Sequence, residues 1–178
     1  MKKRLCLMLI LLIIFFAVFR IVKVTHKFRI KDTTIYQIGE TIEIENMAMK
    51  VTDMRFMTKD DLKQYQELIG EDCDKSMCIV LSVDLKNLLD QETKNDLTFL
   101  SMASGAWTQQ ISYEMFHALN QENASLNLTL QSEQSMQLPF PFILASMQFK
   151  DKDWANIQDR DYQLYISLYP EKRLVQLN

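Results

Sequence analysis

Few side chains in this sequence can act as a nucleophile, a base or a soft metal ligand: its 178 residues include three Cys and two His. Cys6 falls inside an apolar run and His26 lies just behind it, which leaves Cys73, Cys78 and His117 for any Cys/His chemistry. A tetrahedral zinc site needs three or four such ligands at close spacing, so no metal site is expected. Catalysis by Ser or Cys needs an adjacent base. A solitary His117 in the stretch Tyr113 to Leu119 reads as a packed or surface side chain rather than that base. Glu71 to Ser76 has the D-x-D-x-S look of a calcium loop, yet Met77 stands where the tight-turn Gly belongs and Val83 where the bidentate Glu belongs. With three Gly in all, a Gly-rich phosphate cradle is also excluded, and no cofactor is expected. Paired carboxylates could serve glycoside hydrolysis, but spacing alone selects no pair among 23 acids. No catalytic residue is therefore assigned. Cys73 and Cys78 are five apart and could close a small disulfide outside the cytosol, although two unpaired thiols are favoured because so small a loop strains easily. Asn123-Ala-Ser and Asn127-Leu-Thr are glycosylation sequons only in a eukaryotic, luminal setting.

The charges are divided along the chain. Residues 1–31 hold eight basic side chains and no acid, leaving 12 basic and 23 acidic ones for residues 32–178, or +8 and −11. A domain at −11 repels phosphate, so nucleic acid is not an expected partner. Lys2, Lys3 and Arg4 are followed by Leu5 to Phe19 without a charge, the layout of an export signal. Leu5, Leu11, Ile14, Phe16 and Phe19 belong to this run, which resumes at Ile21, Val22 and Val24; residues 5–24 then have the length of a membrane span, with Arg20 and Lys23 able to snorkel. Signal cleavage needs small residues at −1 and −3, and Ala17 has Phe15 two positions upstream. The expectation is an uncleaved single-pass anchor in membrane lipid, with a cleaved signal or a buried core helix as alternatives. Positive charge is nearly even on the two sides, so orientation rests on the signal-like order and places the following domain outside the cytoplasm.

From Thr34 onward the dominant period is two, which predicts strands. Ile42 and Ile44 alternate with Glu43 and Glu45; Met47, Met49 and Val51 continue before Met54 and Phe56 switch parity, implying a turn near Glu45-Asn46 or a bulge near Thr52-Asp53. Ile79, Leu81, Val83 and Leu85 form the cleanest inward row, against Ser82, Asp84 and Lys86 outward. Further rows are Leu126, Leu128 and Leu130; Met136, Leu138 and Phe140; Leu164, Ile166 and Leu168; and a last strand from Leu174 to Leu177. Pro139 and Pro141 cannot donate to a ladder, which places their strand at an edge or a break. Thr58, Asp60 and Asp61 start one inserted helix that carries Leu62, Tyr65, Leu68 and Ile69 on one face and stops at Gly70, and Asp153 to Asp161 reads as a second helical turn. The sum is an all-β, antiparallel immunoglobulin-like sandwich of seven to nine strands over residues 32–178, behind the head, anchor and basic stem of residues 1–31.

Three stretches carry a family resemblance: Ile35 to Phe56 with Ile38-Gly39-Glu40, Cys78 to Leu89 with Val83-Asp84-Leu85-Lys86-Asn87, and Tyr162 to Leu177. They resemble uncharacterised membrane-anchored or lipid-anchored proteins of Gram-positive bacteria with telokin-like, immunoglobulin-like sandwich domains of unknown function. The resemblance implies the sandwich and the anchoring but assigns no catalytic or ligand residue. The chain departs from the lipid-anchored members in lacking their lipobox Cys, and residues 95–122 match nothing in the pattern. Most aromatic side chains read as core; Tyr165 and Tyr169, on the parity opposite Leu164 and Ile166, are candidates for an exposed binding patch. The functional expectation is a tethered, non-enzymatic module that contacts a protein, a peptide or an envelope polymer. The rivals are an anchored envelope hydrolase using acidic residues and an accessory subunit of a transport or secretion complex.

Overall fold

A computed structural model describes the chain except for residues 1, 28–31, 70–72 and 122–124, and except for the side chains of residues 2–7, 9, 26, 27 and 74. The side chain of Leu5, part of the basic stem, Gly70 as helix stop, Glu71 and Asp72 of the acidic loop, and Asn123 of the first sequon therefore lie outside the described residues.

Helix α1 (Lys2–Lys27) carries the apolar run. Leu11, Ile14, Phe16 and Phe19 are all exposed on it, and Phe15 packs edge-on against Phe16. Among the described residues, no helix is long and apolar enough to cross a membrane.

The described residues that follow form eleven strands: β1 (Thr33–Gln37), β2 (Thr41–Ile44), β3 (Met47–Phe56), β4 (Ser76–Asn87), β5 (Thr93–Asp96), β6 (Ser101–Ser104), β7 (Trp107–Gln110), β8 (Asn127–Leu130), β9 (Ser135–Ala145), β10 (Gln163–Ser167) and β11 (Lys172–Gln176). One sheet runs β1-β11-β10-β6-β7, a second β2-β3-β4-β9, and β5 pairs with β8 apart from both. The expected count of seven to nine strands falls short because β5, β6 and β7 are four-residue strands carrying Thr, Ser, Gln and Asn, without the apolar alternation that marks the others. The expectation of a wholly antiparallel sandwich is corrected at one edge, where β1 lies parallel to β11 from Thr33↔Lys172 to Gln37↔Gln176.

Both devices offered for the parity switch in β3 are present. Glu45 takes φ 51 in the turn before Asn46, and the β3–β4 register shifts between Val51 and Asp53. The extra residue, Thr52, donates its hydroxyl to the Ser82 carbonyl at 3.0 Å. An added residue flips every following side chain to the other face, so Met49 and Val51 enter the core and, beyond the bulge, Met54 and Phe56 pack against it as well. Strand β9 with Pro139 and Pro141 is the edge beside β4, as the missing donors require.

The main core lies between the two large sheets and includes Ile79, Leu81, Val83, Leu138, Phe140, Leu164 and Val175. A second cluster covers the outer side of the first half of β4, where Cys78 and Val80 pack with Met57, Leu62, Cys73 and Met115. The roof over it is helical: α2 (Lys59–Lys63), α3 (Gln66–Ile69) and α4 (Tyr113–Leu119), with α5 (Asp151–Ala155) elsewhere. The single inserted helix thus becomes two short ones, with Thr58 capping through the Asp61 N–H at 3.1 Å and Asp61 reaching back to the Thr58 N–H. Helix α4 was not foreseen; Ser112 caps it at Met115 N. The second helical turn near Asp153 is present as α5 and a 3-10 turn at Ile157–Asp159. Leu168 is the one misassigned member of its row: the β10–β11 register shifts between Tyr165 and Ser167, the strand stops there, and Leu168 is exposed.

Candidate functional site

The outer face of the β2-β3-β4-β9 sheet is open to solvent beyond the helical roof, and there the pleat projects the polar halves of the alternating strands. Register aligns them into rows running across the strands. One row is Thr41, Lys50, Asp84 and Gln137; the next is Glu43, Ala48, Lys86 and Ser135. Around them lies an open groove of about 450 Å3 with Met49, Leu85 and Met136 also in its lining. The Gln137 amide donates to Asp84 Oδ1 at 2.8 Å and to Thr52 Oγ1 at 3.5 Å, which ties β9 to β4 and β3 at the groove. The groove and its rim thus offer ammonium donors, the carboxylates of Asp84 and Glu43, hydroxyls and an amide in a regular cross-strand array. Such an array can hold an extended polar chain by hydrogen bonds. Its lining holds one carboxylate, Asp84.

The residues singled out from sequence are not gathered there. Cys73 and Cys78 are buried free thiols, so the disulfide alternative is not formed. Each thiol faces a backbone carbonyl at 3.7 Å, Leu62 for Cys73 and Ile79 for Cys78. Burial pushes the Cys78 thiol up to about 12, outweighing the lowering by a Phe142 backbone hydrogen bond and by Arg55; it is held as an inert thiol. His117 is exposed on α4. Tyr165 is half-buried under Lys172, whose ammonium sits 4.9 Å from its ring centre, while Tyr169 is exposed in the β10–β11 loop. Tyr165 thus lies within β10 and Tyr169 in the loop that follows it. Among the described residues, no group of three or more His, Cys, Asp or Glu is placed to hold a metal.

Two polar clusters hold the frame of the site. Tyr162 is fully buried, its hydroxyl donating to the Ile157 carbonyl at 2.7 Å and pushed up to about 12, chiefly by burial. Around it Arg160 donates to the Ser104 hydroxyl and carbonyl and lies over Phe149, which stacks between Trp107 and Trp154. At the other end, Asn87 is wholly buried at the end of β4. Its amide donates to the carbonyls of Gln91, Leu130 and Gln131 at 2.7, 3.2 and 2.9 Å, and its Oδ1 accepts the Leu89 N–H at 3.0 Å. Lys50, Lys86 and Gln137 were not singled out from sequence. The outward row Ser82, Asp84, Lys86 was visible, but which residues stand beside it depends on register with distant strands.

Residues 33–173 match the family model of a domain of unknown function, DUF5028. The chain belongs to this family. Two residues of the stretches that carry the resemblance have physical reasons in the fold: Gly39 takes φ 92 in the β1–β2 turn, with its N–H on the Val51 carbonyl at 2.8 Å, and Asn87 ties the loops that follow β4 and β8. Among solved structures, the chain is similar to an uncharacterised β-sandwich protein from Clostridium difficile 630 at TM-score 0.50 and 10% identity, covering 83% of this chain and 97% of that one. A conserved hypothetical protein from Bacillus anthracis aligns at TM-score 0.49 and 12% identity over 80% of this chain and 95% of that one. A putative lipoprotein from Bacillus subtilis aligns at TM-score 0.43 and 12% identity over 77% of this chain and 38% of that one. No curated protein matches the chain in sequence. The resemblance to uncharacterised sandwich proteins of Gram-positive bacteria holds for this DUF5028 domain, and the sandwich fold with it.

Proposed function

We propose that this DUF5028 protein is a single-pass membrane protein with a cytoplasmic amino terminus that presents its sandwich outside the membrane as a non-enzymatic binding module. The observation that carries the binding role is the groove of about 450 Å3 on the solvent face of the four-stranded sheet, whose rows of hydroxyl, amide, ammonium and carboxylate groups suit an extended peptide or glycan of the cell envelope. The anchor reading is supported by the exposed apolar side chains of α1 and by the apolar run, which begins at Leu5, ahead of the described side chains. Twenty residues of helix at ~1.5 Å each cover about 30 Å, the thickness of a hydrocarbon core.

Two measurements test this. Protease added to intact cells should cut the domain while a cytoplasmic control stays whole; an uncut domain beside a cut surface control ends the topology. Detergent-solubilised full chain should co-sediment with isolated cell envelope, and K50E/K86E should lose that retention with an unchanged thermal unfolding midpoint. Retention equal to the parent's would remove the groove as the binding face.

A further inference from the structure

Of the eight large apolar side chains exposed on the described part of the sandwich, Ile35 lies on β1, Leu68 on α3 and Tyr113 on α4, and four others share one end. Strand β1 enters at Thr33 beside Lys172, whose N–H donates to the Asp32 carbonyl at 3.0 Å, so the end where the chain arrives from α1 is also the end of the β10–β11 loop. Pairing of Ser101 with Tyr165 brings the β5–β6 loop to this end. Arg173 donates to the Glu43 carbonyl at 2.8 Å, and the Leu88 N–H bonds the Asn46 carbonyl at 2.9 Å, which adds the β2–β3 turn and the β4–β5 loop. These loops carry Leu168, Tyr169, Phe99 and Leu88, exposed by 55, 52, 42 and 42%. Met147, by contrast, follows the end of β9, where Ala145 pairs with Ser76 at the opposite end of the sheet.

We propose that this loop end of the sandwich is a membrane-contact face, with Leu168, Tyr169, Phe99 and Leu88 resting in the lipid headgroup layer beside the anchor. The inference rests on the anchored reading above. Covalent geometry supplies the proximity: five residue steps from Lys27 to Asp32 reach at most about 18 Å at ~3.6 Å per residue, and the three helical residues after Val24 add about 5 Å, so a membrane that holds residues 5–24 lies within about 23 Å of the face. A tether this short gives the second contact a high effective concentration, so a small apolar area suffices. The chemistry fits an interface: Tyr has an apolar ring and a polar tip, the combination enriched where hydrocarbon meets water, and Lys172 is the kind of side chain that snorkels to headgroups. Glu45, Asp90, Glu133 and Glu171 border the same face together with Lys94, Lys172 and Arg173, so charge of both signs surrounds it and the contact is apolar and tether-driven.

The test uses the full chain reconstituted in phosphatidylcholine vesicles, in a C6S background, with an environment-sensitive fluorophore placed through F99C or, as reference, M147C; Cys73 and Cys78 are buried. A lipid carrying a nitroxide near the headgroup should quench the F99C label more strongly than the M147C label, and adding L168S/Y169S should abolish that excess. If the chain resists alkaline extraction but the two labels are quenched alike, the face does not meet lipid and the proposal fails while the anchor stands. If alkali extracts the chain, the anchor reading fails and takes the proposal with it. A blue-shifted F99C label that lipid nitroxides do not quench, and whose shift grows with protein density, would put a second copy on the face and overturn the proposal.

Discussion

Replacing Asn87 tests the frame of the domain most directly. The side chain is fully buried, and its amide meets three carbonyls while its oxygen receives one N–H, so it stands in for strand pairing where the chain leaves β4. A net hydrogen bond contributes about 1 kcal/mol, and buried backbone groups left without a partner cost more. N87A therefore should lose roughly 3–4 kcal/mol, less whatever an entering water restores. N87D keeps the shape but turns donors into acceptors facing the carbonyls of Gln91, Leu130 and Gln131. The introduced carboxyl would be favoured in its protonated form in the folded state, raising its folded pKa above the unfolded value of about 3.9. Above pH ~4 the unfolded chain then releases a proton that the folded chain keeps, so the deficit of N87D relative to the parent should deepen as pH rises from 4 to 7. The assay is urea unfolding of the full chain in detergent, followed through Trp107 and Trp154, the two tryptophans of the sequence. An N87A midpoint within about 0.5 kcal/mol of the parent at unchanged m, or an N87D deficit flat with pH, would refute the account.

Two further perturbations follow from the buried titrating groups. Tyr162→Phe should cost about 1–2 kcal/mol in the same unfolding assay, because the Ile157 carbonyl is left facing a dry core; no change would mean that water already reaches it. Cys78 and Tyr162 both hold their protons more tightly folded than unfolded, so the stability these two groups govern should be flat at neutral pH and decline as pH rises through 9 toward about 12, where the unfolded chain ionises first. Cys78→Ala should reduce the part of that slope that begins near the thiol's ordinary value of 9.0, although the smaller side chain lowers stability at every pH; an identical slope would remove Cys78 as a cause. In the native chain at pH 8, neither Cys73 nor Cys78 should react with a thiol reagent until urea is added, and prompt labelling would contradict their burial.

What was legible in the sequence was what neighbouring residues settle between themselves. The alternation of Ile79 to Leu85, the parity switch at Thr52, the Thr58 cap and the prolines of β9 are local signals, and each is realised where it was read. The stretch from Asn95 to Glu122 was opaque because its strands are four residues long and polar, held by pairing with β8 and β10 and by packing rather than by their own pattern. Cys78 and Val80 alternate like the rest of β4, yet both faces of that half-strand are buried, since α2, α3 and α4 arrive from elsewhere in the chain to cover it.

The sequence by itself determined that an apolar, basic-flanked segment precedes an acidic sandwich, because hydrophobic period and charge are properties of adjacent residues. Only the tertiary structure decided that Lys50, Asp84 and Gln137 stand in one row, that Asn87 is buried among carbonyls, and that Phe99 and Leu168 share the end where the chain enters. Those neighbours are distant along the chain, and which of them meet is fixed by strand register. Register comes from the bulge, the turns and the packed core acting together, and no single stretch of sequence contains it.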